Sequence, residues 1–501
     1  MPAPTEQIGT TAPAAPHSAP PFARGPVLLL AGLVTALLLL ISSRYGYLSD
    51  ELYFIAAGKY PDWGYMDQQP LVPLLAAGLD AAFPGSLLAL RTPAALVTAL
   101  GIVLTALITR ELGGDRRAQF LAACAYALSP WLLLSGHWLA AATLEPPQWL
   151  LLLWLVVRWT RVRSDALLLA AGAVAAVGVQ TKFQIALLCF ALVLGVLIAG
   201  PREMLKRRLL WTGVGVAAVA SAPALAWQAA NGWPALDMGR IVDAENARPL
   251  FLPTALLYSG VVVGAVLCCL GVWFLLRDEQ LRPVRFLAWV SIALLAFYVI
   301  AGGRPNYLAG LYGMLFAAAA AGLGNRRARG GRWSWTAWPA YLLSALLPLA
   351  LLPIYPLPVI ARHPQLAAFS RMYETGWPEL TETVARSYHA LPPDVRERTA
   401  IVGESYTVTG AMDALGPRYG LPRVYSPHRG YWFFGAPPDS ATVVLYVGST
   451  RPLQRYFAHE QQLDTVRTRL DVVDIAQGIA VTRYDEPVMP WSRLWPLIRA
   501  G

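Results

Sequence analysis

The chain has 501 residues, a formal net charge of +10, 56% hydrophobic residues and only 14% charged residues. Soluble domains carry roughly 25% charged residues, so this composition excludes an ordinary soluble enzyme and predicts a membrane protein. The positive charge does not indicate nucleic-acid binding. Most basic residues before residue 353 lie in short loops between apolar runs and form no continuous basic face.

The N-terminal part begins with residues 1–24, which are rich in Pro, Ala and Thr and predict a disordered cytoplasmic tail. The apolar run Val27–Ile41 lacks a following small-x-small cleavage site, so we expect a retained span and not a cleaved signal. Further apolar runs bring the total to about eleven spans of the roughly 20 residues that a bilayer requires. These further runs are 88–109, 118–134, 146–160, 165–181, 183–199, 209–229, 252–276, 285–301, 305–323 and 335–352.

The distribution of basic residues predicts the orientation of these spans. Loops on one side hold most of the Arg and Lys residues, and the positive-inside rule places that side, with the N-terminus, in the cytoplasm. The loop after the first span and everything after residue 353 then lie outside the plasma membrane. The few basic residues on the outer side of the membrane part are Arg44, Lys59, Arg91, Lys182, Arg240, Arg248 and Arg304.

Two domains are therefore expected: a transmembrane domain over residues 25–352 and a small extracytoplasmic α/β domain over residues 353–501. In the second, 376–391 has helical periodicity, whereas 399–405, 441–448 and 478–485 have the pattern of strands. The four cysteines all lie within predicted spans and form no disulfide framework or metal-binding spacing; they are Cys124, Cys189, Cys268 and Cys269.

An adjacent pair of acids, Asp50 and Glu51, directly follows the first span, and Asp67 lies in the same loop. Ionisable groups at membrane depth are costly and commonly mark a pathway or a site. A lone acid in such a loop is usually solvated. This pair, within an aromatic-rich stretch at the edge of the membrane, predicts a site that performs proton chemistry.

The same stretch carries a resemblance to a known group of enzymes. The segment YLSDELYFIAAGKYPDWGYMDQQPLVPLL resembles the first external loop of the C-type-fold membrane glycosyltransferases of the protein O-mannosyltransferase and aminoarabinose-transferase group (family 39-like). The similarity extends over roughly residues 27–325. It includes the segments LRTPAALVTAL, ELGGDRRAQF, LSPWLLLSGHWLAAATLEPPQW, QTKFQIALL and GGRPNYLAGLYGML.

This resemblance implies that a sugar passes from a polyprenyl-phosphate-linked donor to an acceptor on the outer face, with inversion. Such a transfer requires a base for the acceptor hydroxyl, and we expect Asp50 to serve. Glu51 is expected to orient the acceptor or to raise the pKa of Asp50 by like-charge proximity. The acceptor is a protein, a lipid or a glycan; the other partner is the lipid bilayer.

The leaving phosphate requires cationic or hydrogen-bonding partners, for which Lys182, Arg304 and Tyr307 are candidates. An alternative for both cations is the role of an interfacial anchor. Asp67, Glu145 and His137 are candidates for binding the acceptor or the sugar, although for His137 the pattern favours a packed interfacial histidine. No cofactor is required. No ligand spacing demands a metal, and a divalent cation between the acids stays open.

Two other classes of protein share some of these features. A polytopic transporter or flippase for a lipid-linked or cell-wall precursor also has many spans and sparse charge, but no inverted repeat of hydropathy is visible. A non-catalytic assembly protein would use the outer domain for binding alone. The aromatic segment 426–438 is interpretable either as a lid over the site or as a patch resting on the membrane.

Overall fold

The computed structural model describes residues 19–245, 247–328, 337–470 and 473–500. Most of the predicted tail, 1–24, lies outside these residues, although Ala23 is already buried and its N–H donates to Gln119. The helices of the membrane part are α1 Arg24–Ile41, α2 Ser49–Gly58, α3 Leu71–Ala82, α4 Leu87–Glu111, α5 Arg116–Ala127, α6 Pro130–Ser135, α7 Ala141–Val162, α8 Ala166–Thr181, α9 Gln184–Ala199, α10 Arg208–Ala230, α11 Pro234–Glu245, α12 Phe251–Ser259, α13 Val263–Arg277, α14 Phe286–Ile300, α15 Ala309–Ala328 and α16 Ala337–Leu351.

The molecule is a polytopic helical membrane protein. Within the described ranges, four helices are long and apolar enough to cross a bilayer, and a fifth span results if one bent helix pair counts as one. Five further apolar helices have 10–17 residues. The number of about eleven spans stays a prediction, because length and composition alone do not assign these shorter helices to the bilayer.

Two of the predicted runs are broken helices. The run 118–134 is divided into α5 and α6, since Pro130 begins a new helix. The run 252–276 is divided into α12 and α13, which meet at an angle of 107°. At this break Gly260 has φ +145°, and an added Cβ would lie 2.8 Å from the backbone nitrogen of Gly264. Only glycine fits such a turn.

Small residues let neighbouring helices approach closely. A Cβ added to Gly172 of α8 would lie 2.2 Å from the Cα of Gly213 in α10, and one added to Gly271 of α13 would lie 2.4 Å from the carbonyl oxygen of Leu315 in α15. Helices in membranes associate largely through such close packing, because the lipid supplies no hydrophobic driving force between them.

The C-terminal part contains a five-stranded sheet in the order β2-β1-β3-β5-β4. Strand β1 is parallel to β2 and β3, whereas β5 is antiparallel to β3 and β4. The strands are β1 Thr399–Gly403, β2 Val424–Tyr425, β3 Val443–Gly448, β4 Phe457–Thr465 and β5 Ala480–Pro487. The helices are α17 Leu357–Arg362, α18 Ala368–Glu374, α19 Trp377–His389, α20 Pro393–Arg396, α21 Tyr406–Leu415, α22 Gly430–Phe433 and α23 Trp491–Leu494.

The sequence patterns located α19, β1, β3 and β5 but missed β2 and β4. Strand β2 has only two residues, and β4 is an edge strand that is mostly polar. Neither segment presents the apolar alternation on which strand prediction depends. The predicted boundary at residues 352/353 falls between α16 and α17.

A buried guanidinium joins the membrane part to the C-terminal domain. Arg91 of α4 is 1% exposed, and it donates to the backbone oxygens of Ser42, at 2.7 Å, and Gly46, at 2.9 Å. Its Nη2 also lies 2.8 Å from Glu51 of α2 and 3.3 Å from Glu374 of α18. One side chain therefore connects the end of α1, helix α2 and the C-terminal domain.

Exchanging Gly172 for alanine is expected to destabilise the protein by about 1–3 kcal/mol, since the added methyl would press against the backbone of α10. The matched change Gly215→Ala lies on an open face of α10, where nothing approaches within 4 Å. It should be neutral or stabilise by about 0.5–1 kcal/mol, because alanine favours the helix. Thermal unfolding in detergent measures both, and equal effects would contradict the close packing of α8 and α10.

Replacing Arg91 by methionine is expected to cost about 3–5 kcal/mol of the free energy of unfolding, since it leaves two buried carboxylates without their cation. The control Arg282→Met removes an arginine that is 74% exposed, and it should change stability by less than about 0.5 kcal/mol. Unfolding followed by tryptophan fluorescence compares the two variants. A stable Arg91→Met protein would show that this network does not hold the two parts together.

Candidate active site

Asp50 lies in the first turn of α2, at the junction between the membrane part and the C-terminal domain. Its Oδ1 accepts a hydrogen bond of 2.8 Å from the hydroxyl of Tyr406, which begins α21. The carboxylate is only partly exposed, and within the described residues its Oδ2 has no hydrogen-bond partner. One oxygen is therefore anchored, and the other is available to a ligand.

The environment of Asp50 favours the protonated form more than water does. Burial raises the pKa of this carboxyl, whereas the hydrogen bond from Tyr406 and the charge of Arg429 oppose the rise. Burial also raises the pKa of Tyr406 well above its usual value, so the hydroxyl keeps its proton and remains a donor.

Asp67 lies in the same cluster. Its Oδ1 accepts a hydrogen bond of 2.8 Å from Tyr53, and its Oδ2 lies 3.7 Å from Nη1 of Arg429. Burial raises the pKa of Asp67, and Arg429 and Tyr53 oppose the rise. The structure thus brings together two of the predicted acids, Asp50 and Asp67, each held by a tyrosine hydroxyl.

The segment 426–434, which we call the strap, lies across this cluster. A Cβ added to Gly430 would lie 2.0 Å from the Tyr53 hydroxyl, so glycine is required at this contact. Phe434 stacks on Tyr60 with ring centroids 4.7 Å apart, and Phe433 packs 5.4 Å from Trp227 at the end of α10. These contacts hold Arg429 next to the two acids.

Glu51 faces away from Asp50, into the protein. It is 0% exposed, and its oxygens accept from Arg91, from the N–H of Leu48 at 2.8 Å and from the N–H of Leu139 at 3.0 Å. Residues 50 and 51 are neighbours on a helix, so they point about 100° apart. The catalytic role predicted for Glu51 stays a prediction, although these contacts favour a positioning role.

Lys182, Tyr307 and Glu145 come together at a second position. The Lys182 ammonium lies 4.1 Å from the centroid of the Tyr307 ring and 3.6 Å from the Glu145 carboxylate. Lys182 follows α8, and Tyr307 lies in a short turn before α15, so the pair brings two different helix ends together. Two of the predicted phosphate ligands are thus adjacent.

Arg304 is linked to the acids through Glu245, the last residue of α11. Its Nη2 lies 2.5 Å from Oε2 of Glu245, and Oε1 of the same carboxylate lies 3.7 Å from Nη2 of Arg429. A row of alternating charges therefore leads from Arg304 through Glu245 and Arg429 to Asp67. The sequence patterns assign no role to Glu245.

His137 lies in the buried network around Arg91 and not beside Asp50. Its Nε2 is 2.8 Å from Nη1 of Arg91 and 3.2 Å from Oε2 of Glu374. Because a guanidinium can only donate, Nε2 acts as the acceptor, and burial together with Arg91 lowers the pKa of His137. These contacts fit the packed alternative for this histidine.

Sequence reasoning missed Tyr406 and Arg429. Tyr406 is separated from Asp50 by 356 residues, and no local pattern links the two positions. The only available signal was the aromatic-rich character of the strap. Among the described residues, no group of three or more His, Cys, Asp or Glu side chains is placed to hold a metal ion.

An apolar groove of about 320 Å³ lies between α12, α13, α14 and α15. Its lining includes Leu308, the residue after Tyr307, together with Leu256, Val272, Leu295 and Leu315. The groove therefore reaches the turn that carries Tyr307. Its lining is suited to a hydrocarbon chain.

Comparison with known proteins gives consistent matches. The family model for dolichyl-phosphate-mannose-protein mannosyltransferases matches residues 67–227. The undecaprenyl phosphate-alpha-4-amino-4-deoxy-L-arabinose arabinosyl transferase 1 of Pseudomonas fluorescens (strain Pf0-1) is 27% identical over 322 residues, which cover 56% of this chain and 54% of that protein. The chain thus spans about half the length of this curated relative.

Solved structures match over more of the chain. ArnT from Cupriavidus metallidurans superposes with a TM-score of 0.61 in the apo state and 0.59 when bound to undecaprenyl phosphate, at 16% and 15% identity. These matches cover 92% and 91% of this chain and 98% of ArnT. The arabinofuranosyltransferase AftD from Mycobacteria matches with a TM-score of 0.51 at 13% identity, covering 94% of this chain and 40% of AftD.

None of these matches is to a transporter, so they do not favour the transporter or flippase interpretation. The superpositions on solved structures, all at low identity, establish the fold alone. The family model begins at Asp67, which follows α2, and extends to Trp227 near the end of α10. In sequence and in fold, the chain thus resembles the protein O-mannosyltransferase and aminoarabinose-transferase group of C-type-fold membrane glycosyltransferases, as its sequence motifs had indicated.

Proposed function

We propose that this protein transfers a sugar from a polyprenyl-phosphate-linked donor to an acceptor on the outer face of the plasma membrane, with Asp50 as the base. The observation that carries the proposal is the state of the Asp50 carboxylate. One oxygen is held by Tyr406 and the other has no partner among the described residues, in a partly buried cluster that also contains a cation. A carboxylate so oriented is suited to accept a proton from a bound hydroxyl.

In the proposed reaction, the acceptor hydroxyl gives its proton to Oδ2 of Asp50 while its oxygen attacks the anomeric carbon of the donor. The bond from that carbon to the phosphate oxygen breaks, and the electron pair leaves with the polyprenyl phosphate. A single displacement of this kind inverts the anomeric centre. The raised pKa of Asp50 favours the reaction, because it makes the carboxylate a stronger base than an exposed aspartate.

The leaving phosphate gains negative charge and requires donors at its oxygens. Lys182, Arg304 and Tyr307 are the proposed ligands, and Tyr307 directly precedes Leu308, which lines the apolar groove. We infer that the prenyl chain occupies this groove. The adjacency of cations and a hydrocarbon-lined groove supports a lipid phosphate as the donor carrier more than a water-soluble sugar nucleotide.

The other predicted site residues have different roles in this proposal, either near the substrate or in positioning other side chains. Asp67 lies near enough to Asp50 to contact the acceptor or the sugar, and Glu145 is placed to orient Lys182. Glu51 positions α2 through its contacts with Arg91 and Leu139. The outer placement of this cluster, and of residues after 353, rests on the positive-inside distribution.

Asp50→Asn is expected to reduce sugar transfer by on the order of 10²–10⁴-fold, since the amide cannot accept the proton. Purified protein in detergent with a radiolabelled undecaprenyl-phosphate sugar should release undecaprenyl phosphate, and donor binding by the variant should be retained. The control Asp80→Asn changes another acid of the first external loop and should leave turnover intact. Full activity of Asp50→Asn would refute the base assignment. If the wild type never cleaves any such donor, the transporter interpretation is favoured.

Tyr406→Phe is expected to move the acid limb of the kcat/KM profile to higher pH. The hydrogen bond from Tyr406 lowers the pKa of Asp50, so its loss leaves the carboxyl protonated at a higher pH. The wild-type limb should itself lie above that of an ordinary aspartate, because burial raises this pKa. The control Tyr456→Phe changes a tyrosine that directly precedes the edge strand β4. Identical pH profiles of kcat/KM for the two variants would refute the effect of Tyr406 on Asp50.

A further inference from the structure

We propose that Arg429, supplied by the C-terminal domain, is a ligand of the donor phosphate and forms a clamp with Arg304. This inference rests on the proposed function. It adds a residue of the C-terminal domain, which begins after the last membrane helix, α16.

The contacts of Arg429 are incomplete for a buried cation. Its side chain is only 13% exposed, yet its two ion pairs, with Asp67 and Glu245, are each 3.7 Å long and exceed hydrogen-bond distance. Its Nε is buried and has no partner within the described residues. A buried N–H group without an acceptor costs free energy, and a ligand with several acceptor oxygens would supply the missing hydrogen bonds.

The backbone at this position is held in an unusual conformation. Arg429 has φ +50° and ψ −134°, a region that residues with side chains rarely adopt. The N–H of Arg429 donates to the carbonyl of Ala500 at 2.9 Å, and the next residue, Gly430, presses against Tyr53. Strained backbone is concentrated at functional sites, where the surrounding structure enforces it.

The ring of Tyr406 contacts one side of the Arg429 guanidinium and so orients it. The guanidinium lies 4.7 Å from the centroid of the Tyr406 ring, which itself stacks on His428 at 5.6 Å. A planar fork packed flat on an aromatic ring presents its donors at the edge. The tyrosine that holds Asp50 thus also holds Arg429, so the proposed base and the proposed phosphate ligand share one support.

The other two candidate cations have closer partners. Lys182 is held by Glu145 and Tyr307, and Arg304 is bonded to Glu245 at 2.5 Å. The carboxylate of Glu245 lies between the two guanidiniums, with one oxygen toward each arginine. A carboxylate in this position occupies the place that the donor phosphate, with its two non-bridging oxygens, would fill. We infer that the donor phosphate displaces Glu245 and is held by Arg304 and Arg429 together.

The test compares binding of undecaprenyl phosphate and of neutral undecaprenol to the full-length protein in nanodiscs, using native mass spectrometry. Arg429→Gln should weaken binding of undecaprenyl phosphate by at least about tenfold, the cost of losing charge-assisted hydrogen bonds. Binding of undecaprenol should not change. Glu245→Gln should tighten binding of the phosphate, because it removes the competing carboxylate. The control Arg455→Gln removes an exposed arginine of the same domain and should have no effect.

If Arg429→Gln binds undecaprenyl phosphate as tightly as the unchanged protein does, the inference is overturned. The proposed function would still stand in that case, provided that the unchanged protein binds undecaprenyl phosphate more tightly than undecaprenol. If the wild type binds both lipids equally, the proposed function fails and the inference fails with it. Should Arg429→Gln not fold, Arg429→Lys replaces it, since lysine keeps the charge and loses the fork. That variant should bind at least about threefold more weakly, and unchanged affinity would overturn the inference.

Discussion

The buried guanidinium of Arg91 is the interaction on which the arrangement of the site depends. It is bonded to the chain leaving α1, to Glu51 in α2 and to Glu374 in the C-terminal domain. Buried charges are tolerated only when they are paired and hydrogen-bonded, so each of these groups fixes the others. The network thereby places α2 at a set position between the membrane helices and the C-terminal domain, and Leu52 of this helix becomes part of the core of that domain.

Two adjacent acids have opposite environments as a consequence. The oxygens of Glu51 accept five hydrogen bonds, from Arg91, Leu48 and Leu139, so this carboxylate is fully occupied by the network. Asp50, one residue earlier on the same helix, bonds to Tyr406 through one oxygen, and its other oxygen has no hydrogen-bond partner in the part of the chain that the structure describes. The packed carboxylate holds the helix, and the neighbouring carboxylate is then presented at a defined angle. This arrangement gives a physical reason for an Asp-Glu pair at this point of the chain.

The C-terminal domain completes the cluster instead of merely covering it. Tyr406 orients Asp50, and the strap brings Arg429 to within 3.7 Å of Asp67. The strap is fastened by aromatic contacts to Tyr60, Tyr65 and Trp227, all of which belong to the membrane part. The aromatic contacts of the strap are therefore close, whereas the two ion pairs of Arg429 within it are each 3.7 Å long.

Sequence alone determined the class of the molecule. Apolar runs and the sparse charge predicted the membrane helices, and adjacency after the first span singled out the pair Asp50 and Glu51, with Asp67 in the same loop. Local patterns also found α19, β1, β3 and β5, because each buries an apolar face that its own residues display. Sequence did not separate the roles of Asp50 and Glu51, since both are acids in one turn and only packing decides which of them is buried. Tertiary structure alone brought Tyr406 and Arg429 to Asp50 across more than 350 residues, because contacts between distant segments leave no periodic trace in either one.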